Sequence, residues 1–364
     1  MIRIRVCGVY VTALAALLAI AVPVSLVAES SQSPKPFTGS TDQTVGQKDL
    51  IWWLPADTES VVAARGPFLI PYEPDETNER NNLEWFTRKA SLADIRAELE
   101  ALPLELLDDV DLVGTLKGYT VAYAMQGSRH FREPNGYEVT EYEGCSIVVF
   151  DRSLDGLETT IAQMPGWKGA SRGAIGGSQV LTWHGEGKDA ERTYLLAFPK
   201  PNVLLIANNR NYLVEVLERM EQKKMPRALP NELPEWKFLD ANARFWGLRH
   251  YDPAQAKKDP TSPLGGDSAY VQGDPKAIGV LFALDPKRER SLVVTSFSRD
   301  EAKTKAEASR GHAVSEPQDG VRYEVGLRNP APGVLEEVYT LDRSSTLDYC
   351  LLAIQFALGR GMNF

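Results

Sequence analysis

The stretch TYLLAFPKPNVLLIA, residues 193–207, decides the fold class. Two apolar runs, Thr193–Phe198 and Val203–Ala207, flank Pro199-Lys200-Pro201-Asn202. Short runs of strand formers bounded by Pro and Asn read as two strands joined by a tight reversal, and strands joined that way pair antiparallel. Gln179–His184 supplies a third strand just upstream. Downstream, Leu213, Val216, Leu217 and Met220 recur at helical spacing, with Lys223 and Lys224 suited to the negative end of a helix.

Further upstream, strands are expected at residues 60–64, 118–125 and 145–150. Ser91 starts a helix with Leu92, Ile95, Leu99 and Leu102 on one face and Pro103 at its end. Ser153 caps a second, with Leu154, Leu157, Ile161 and Met164 on one side, closed by Pro165-Gly166. After residue 236 the rhythm restarts. Strands are expected at 244–249, 278–284, 292–297, 321–327 and 335–341, and a helix at 300–309. A last helix begins at Ser345 with Leu347, Cys350, Leu351, Ile354 and Leu358.

These elements predict an α+β protein of mainly antiparallel sheets with helices packed on one face. The two halves list their elements in nearly the same order, which predicts internal duplication of a β-ββαββα unit. The expected organisation is a first unit at 49–225, an exposed Pro-rich linker at 226–235 and a second unit at 236–364. Residues 61–66, Val-Val-Ala-Ala-Arg-Gly, align with residues 245–250, Phe-Trp-Gly-Leu-Arg-His, which sets Arg65 beside Arg249 as equivalent strand ends.

The N-terminus places the chain. Arg3 and Arg5 precede 23 residues, Val6 to Ala28, without a charged side chain, and Glu29 opens a polar region. That order is an export signal. Its length also suits an uncleaved anchor, whereas the Pro23 break suits cleavage. Either way the following residues are expected outside the cytoplasm, periplasmic or secreted, with membrane contact only through residues 6–28 if these are retained. Residues 29–48, rich in Ser, Thr, Pro, Gly and Gln, read as a disordered stalk.

Removing residues 1–28 takes two arginines and no acid from 40 basic and 49 acidic side chains, leaving a formal charge of −11. An acidic body without a basic footprint argues against nucleic acid as a partner. Cys145 and Cys350 are the cysteines beyond the leader. They can pair in an oxidising compartment, or Cys350 can be a buried thiol of its apolar helix.

The segment Leu54-Pro55-Ala56-Asp57-Thr58, followed by a hydrophobic strand, resembles secreted bacterial proteins of unknown function whose folded part opens in this way. The resemblance covers five residues and the strand. It implies compartment and class, and carries no activity.

Linear motifs for chemistry are sparse. His130, His184, His250 and His312 share no metal-ligand spacing, so no metal and no cofactor is expected. His184 and His250 stand at strand ends, where either can act as a base if a carboxylate orients it. The cluster Gly173-Ala174-Ile175-Gly176-Gly177-Ser178 precedes a strand and reads as a turn rather than a phosphate loop. Asp108-Asp109-Val110-Asp111 lacks the Gly and distal Glu of a calcium loop and reads as a solvated link. Residues 67–82 and 251–276 are long loops following Arg65 and Arg249, and such loops collect ligand contacts. Arg65, Arg249 and His250 are therefore the candidate binding residues.

Three functional readings follow. The first is a non-catalytic extracytoplasmic binding or envelope-associated module whose partner is an unknown ligand or envelope protein. The second is a secreted hydrolase with a carboxylate/His site between the two halves. The third is an interaction protein tethered by residues 6–28.

Overall fold

The computed structural model describes residues 47–70, 99–110, 112–132, 138–167, 169–185, 192–222, 225–250, 277–284, 291–298, 301–315 and 323–340. The leader, residues 29–46 of the expected stalk, the start of the Ser91 helix, residues 71–82 and 251–276 of the two expected loops and the helix from Ser345 lie outside these residues. Two expectations are corrected at their edges: Gln47 and Lys48 of the stalk begin a helix, Gln47–Trp53, and the first strand does not end at Arg65 but runs on to Ile70 through residues expected to be loop.

In chain order the elements are α1 (Gln47–Trp53), β1 (Ser60–Ile70), a 3-10 turn (Leu102–Leu104), α2 (Glu105–Asp109), α3 (Val113–Leu116), β2 (Tyr119–Arg132) and β3 (Glu138–Phe150). Then follow α4 (Leu157–Gln163), β4 (Ser171–Ile175), β5 (Ser178–His184), β6 (Thr193–Lys200), β7 (Val203–Ala207) and α5 (Arg210–Glu221). The remainder comprises a 3-10 helix (Pro234–Phe238), β8 (Phe245–His250), β9 (Ala277–Leu284), β10 (Ser291–Ser298), α6 (Glu301–Ala308), β11 (His312–Ser315), β12 (Tyr323–Ala331) and β13 (Val334–Thr340).

The α+β class and the antiparallel pairing hold throughout. All the described strands join one sheet in the order β11-β12-β13-β10-β9-β8-β1-β2-β3-β7-β6-β5-β4. Its middle is the antiparallel pair β1–β8, in register from Ser60 opposite Arg249 to Ala64 opposite Phe245. Read outward from that pair, one half-sheet runs β1-β2-β3-β7-β6-β5-β4 and the other β8-β9-β10-β13-β12-β11. The two half-sheets thus repeat one strand order.

The 193–207 stretch forms β6 and β7, with Lys200 opposite Val203 across the Pro201-Asn202 turn. Strands β4 and β11 were not legible. β4 is a short edge strand with four exposed residues out of five, so it carries little alternating pattern. Gly176 and Gly177, at φ +54° and +78°, make the turn between β4 and β5. That is the left-handed conformation that a two-residue hairpin turn favours and that glycine adopts without strain.

The expectation of helices on one face is corrected: in the first half-sheet both faces are covered. On one face Cys145, Ile147 and Val149 of β3 and Val203 and Leu205 of β7 pack with Leu50 and Leu54 and with Tyr212, Leu213 and Val216 of α5. On the other, Val148, Phe150, Leu204 and Ile206 pack with Leu107, Leu116, Leu157, Ile161 and Trp167 from α2, α3, α4 and the turn after it. This is why 203–207 reads as an unbroken apolar run: all five residues are buried, whichever face they point to.

The Pro-rich segment is exposed at Pro226, Pro230 and Pro234 but not throughout. Ala228 and Leu229 are fully or nearly fully buried and belong to the α5-side core. Trp236 anchors the segment by donating from Nε1 to the Pro230 carbonyl at 2.9 Å.

Candidate functional site

The end of β8 carries the candidate. His250 continues the central ladder, its backbone N–H donating to the Glu59 carbonyl at 2.9 Å. It lies on the α5-side face, as Trp246 and Leu248 do four and two residues earlier. The 3-10 helix Pro234–Phe238 supplies Glu235, whose side chain is wholly buried. Its Oε1 lies 2.7 Å from Nδ1 of His250, so the imidazole donates from Nδ1 to the carboxylate. The imidazole side chain keeps 36 % exposure. A buried carboxylate bonded to one ring nitrogen fixes the ring plane, and Nε2, which has no partner among the described residues, is the ring atom left to meet a ligand. Around the pair, Trp236 stacks edge-on against Trp246 at 5.8 Å, and Arg227 lies over the Trp236 ring at 4.6 Å. Glu235 Oε2 is buried and has no hydrogen-bond partner among the described residues.

The three candidate residues do not form one site. Arg65 and His250 share a face, but Arg65 pairs across from Arg244 and His250 from Glu59. Six residues of strand separate those positions, about 20 Å. Arg65 is exposed, its guanidinium 5.9 Å from the Tyr123 ring. Arg249, opposite Ser60, points to the reverse face and is buried at 5 % exposure. The alignment of Arg65 with Arg249 therefore places them on opposite faces of neighbouring strands, one step out of the alternation that keeps faces equivalent. His184 is a surface residue bonded to Thr193 at 3.1 Å.

Sequence reading missed two groups. One is Glu235, 15 residues from His250 and set among prolines, where a lone carboxylate gives no linear signal. The other surrounds Arg129 of β2. Its guanidinium lies 2.6 Å from Asp57, 3.0 Å from Glu215 of α5 and 3.2 Å from Glu143 of β3. It also sits over the Tyr212 ring at 5.1 Å. Burial alone would lower its pKa, but the hydrogen bonds with Glu215 and Asp57 outweigh that and hold it above the usual arginine range. Thr58 bonds the Tyr212 hydroxyl at 2.8 Å, and Leu54 fills the space beside Gly127, where a Cβ would come within 2.7 Å of it. The Leu54–Thr58 segment is thus a clasp tying the first strand to α5.

Cys145 is a free, buried thiol, pushed up by burial and therefore protonated; Cys350 lies outside the described residues. Among the described residues no three His, Cys, Asp or Glu side chains converge as metal ligands, and no helix is long and apolar enough to cross a membrane. No family model, curated protein or solved structure matches the chain.

Proposed function

We propose that this is an exported extracytoplasmic protein that works by binding, with the Glu235–His250 pair as its contact point for an extracytoplasmic ligand or envelope protein. One observation carries the reading: a half-exposed imidazole is locked by a wholly buried carboxylate at 2.7 Å, at the end of a central strand. A polar atom fixed before its ligand arrives loses little freedom on binding, which is how affinity is gained without a large contact area. The basic-apolar-polar order of residues 1–29, the likeness of Leu54–Thr58 to exported bacterial proteins and the formal charge of −11 beyond the leader support the compartment and weigh against nucleic acid. The repeated strand order supports descent of both half-sheets from one duplicated unit.

The same geometry favours a second reading, a hydrolase in which Glu235 orients His250 as general base. Imidazole NMR of the full exported chain, titrated with a soluble envelope fraction, separates the two. Binding predicts a shift of the His250 Nε2 signal that is lost in Glu235→Gln, with no turnover of chromogenic ester, glycoside or phosphate substrates. Turnover that disappears in His250→Gln would replace binding by hydrolysis. Absence of both effects would remove the site. Export is checked separately by a reporter fused after residue 48, which must be active outside the cytoplasm.

A further inference from the structure

Among the described residues, the face of the second half-sheet beneath α6 is largely apolar, with half-buried Ser296 of β10 toward one end and one ionisable group within it. Leu292 and Val294 of β10, Val325 and Leu327 of β12 and Tyr339 of β13 are buried there, and Glu337 lies among them at 5 % exposure. It stands opposite Val294 on one side and Leu327 on the other. α6 covers this face with little of its own: Thr304 is its buried residue, and its hydroxyl is satisfied within the helix by the Glu301 carbonyl at 3.0 Å.

The groups facing Glu337 offer no cation among the described residues. β10 contributes Leu292, Val294 and the neutral, half-buried Ser296, β12 contributes Val325 and Leu327, β13 contributes the Tyr339 hydroxyl, and α6 contributes the half-buried Glu307, a like charge. Lys303 and Lys305 lie on the exposed side of α6. Arg328 and Glu336 pair with each other at 3.3 Å on the reverse face of the sheet. A carboxyl in such surroundings is neutral while covered and charged once water reaches it.

We propose that Glu337 is a proton-operated latch for α6: protonated, it lies beneath the docked helix, and ionised, it drives the helix off the sheet, so that the apolar face under α6 opens as pH rises. Burial pushes the Glu337 carboxyl up to about 7, the Tyr339 hydroxyl opposing this and the Glu307 charge adding to it. A solvated glutamate titrates near ~4.3. Between those values the docked state holds more protons than the open one. Opening therefore grows by about tenfold per pH unit across this window and is flat below and above it.

Hydrogen exchange of the full chain, corrected for intrinsic amide rates, reads this directly at residues 301–308. The expected result is a rise of roughly 40-fold in the opening constant from pH 5 to pH 7, levelling off by about pH 8, and no such rise in α5. Glu337→Gln should keep 301–308 protected at every pH. Glu307→Gln, which leaves the buried carboxyl in place, should move the plateau to lower pH. Protection that is independent of pH in the parent, or a pH dependence surviving in a folded Glu337→Gln protein, overturns the latch. If Glu337→Gln does not fold, an unmoved plateau in Glu307→Gln overturns it.

Discussion

The two half-sheets share a strand order but not a way of closing their α4/α6 face. In the first, Val148, Phe150, Leu204 and Ile206 meet Leu157, Ile161 and Trp167 in a layer that is apolar on both sides. In the second, the corresponding strands β10 and β13 place Val294 beside Glu337, and α6 buries Thr304 above them. Topology sets where a layer sits. What the layer tolerates is set by its side chains, and one carboxyl turns a fixed cover into one that responds to protons.

The contrast breaks most readily at Trp167. Its ring is 1 % exposed and its Nε1 donates to the Val110 carbonyl at 3.0 Å, so it both fills the layer and satisfies a backbone acceptor. Trp167→Ala should cost about 3–5 kcal/mol, chiefly through the cavity left in a layer held on both sides. Urea unfolding followed by circular dichroism measures it, and the loss should be the same at pH 5 and pH 8. A cost below ~1 kcal/mol would mean that the first half-sheet's cover is as loosely held as the second's.

The ion networks offer a second, smaller contrast. Arg129 has a side chain 13 % exposed and faces three carboxylates, of which Glu143 is itself only 11 % exposed. Arg129→Ala leaves that carboxylate without its cation and opens the clasp made by Asp57, so a loss of about 1–3 kcal/mol is expected. The exposure of Asp57 and Glu215, 60 % and 40 %, keeps it from being larger. Arg129→Lys should recover part of the loss, because an ammonium restores the charge but cannot span three acceptors as a guanidinium does. Equal stability of the Ala and Lys variants would show that charge at this position does not matter.

How much of this was legible follows from what a linear pattern records. The antiparallel class was readable because Thr193–Lys200 and Val203–Ala207 carry strand composition around a two-residue turn. α5 was readable from its apolar stripe. Two-sided burial was misread because a fully apolar strand such as β7 does not say what lies on its second face. The site was half legible. His250 marks the strand end, but the partner that makes it a site sits in a Pro-rich stretch that reads as linker and is in fact packed by Ala228 and Leu229. Arg249 was misplaced for a different reason: a shift of one residue in a strand alignment moves a side chain to the opposite face. Asp57, quoted only as part of an opening motif, finds its purpose at Arg129, 72 residues on.

The smallest expected effect lies at the rim of the second half-sheet. Arg328 of β12 and Glu336 of β13 are cross-strand neighbours, and Arg328 Nη1 lies 3.3 Å from Glu336 Oε1. On the first half-sheet an arginine between strands is enclosed by three carboxylates and an aromatic ring; here the side chain is 52 % exposed and meets one carboxylate. Water and salt screen such a pair, and holding two long side chains in one geometry offsets much of the attraction. Arg328→Ala should therefore cost no more than ~1 kcal/mol, and the difference from the parent should vanish in ~1 M salt. Denaturation midpoints at low and high salt provide the measurement. A loss matching that of Arg129→Ala, or one that salt leaves untouched, would show that this rim is as firmly held as the clasp around Arg129. The contrast between a fixed and a responsive half-sheet would then have to rest on Glu337 alone.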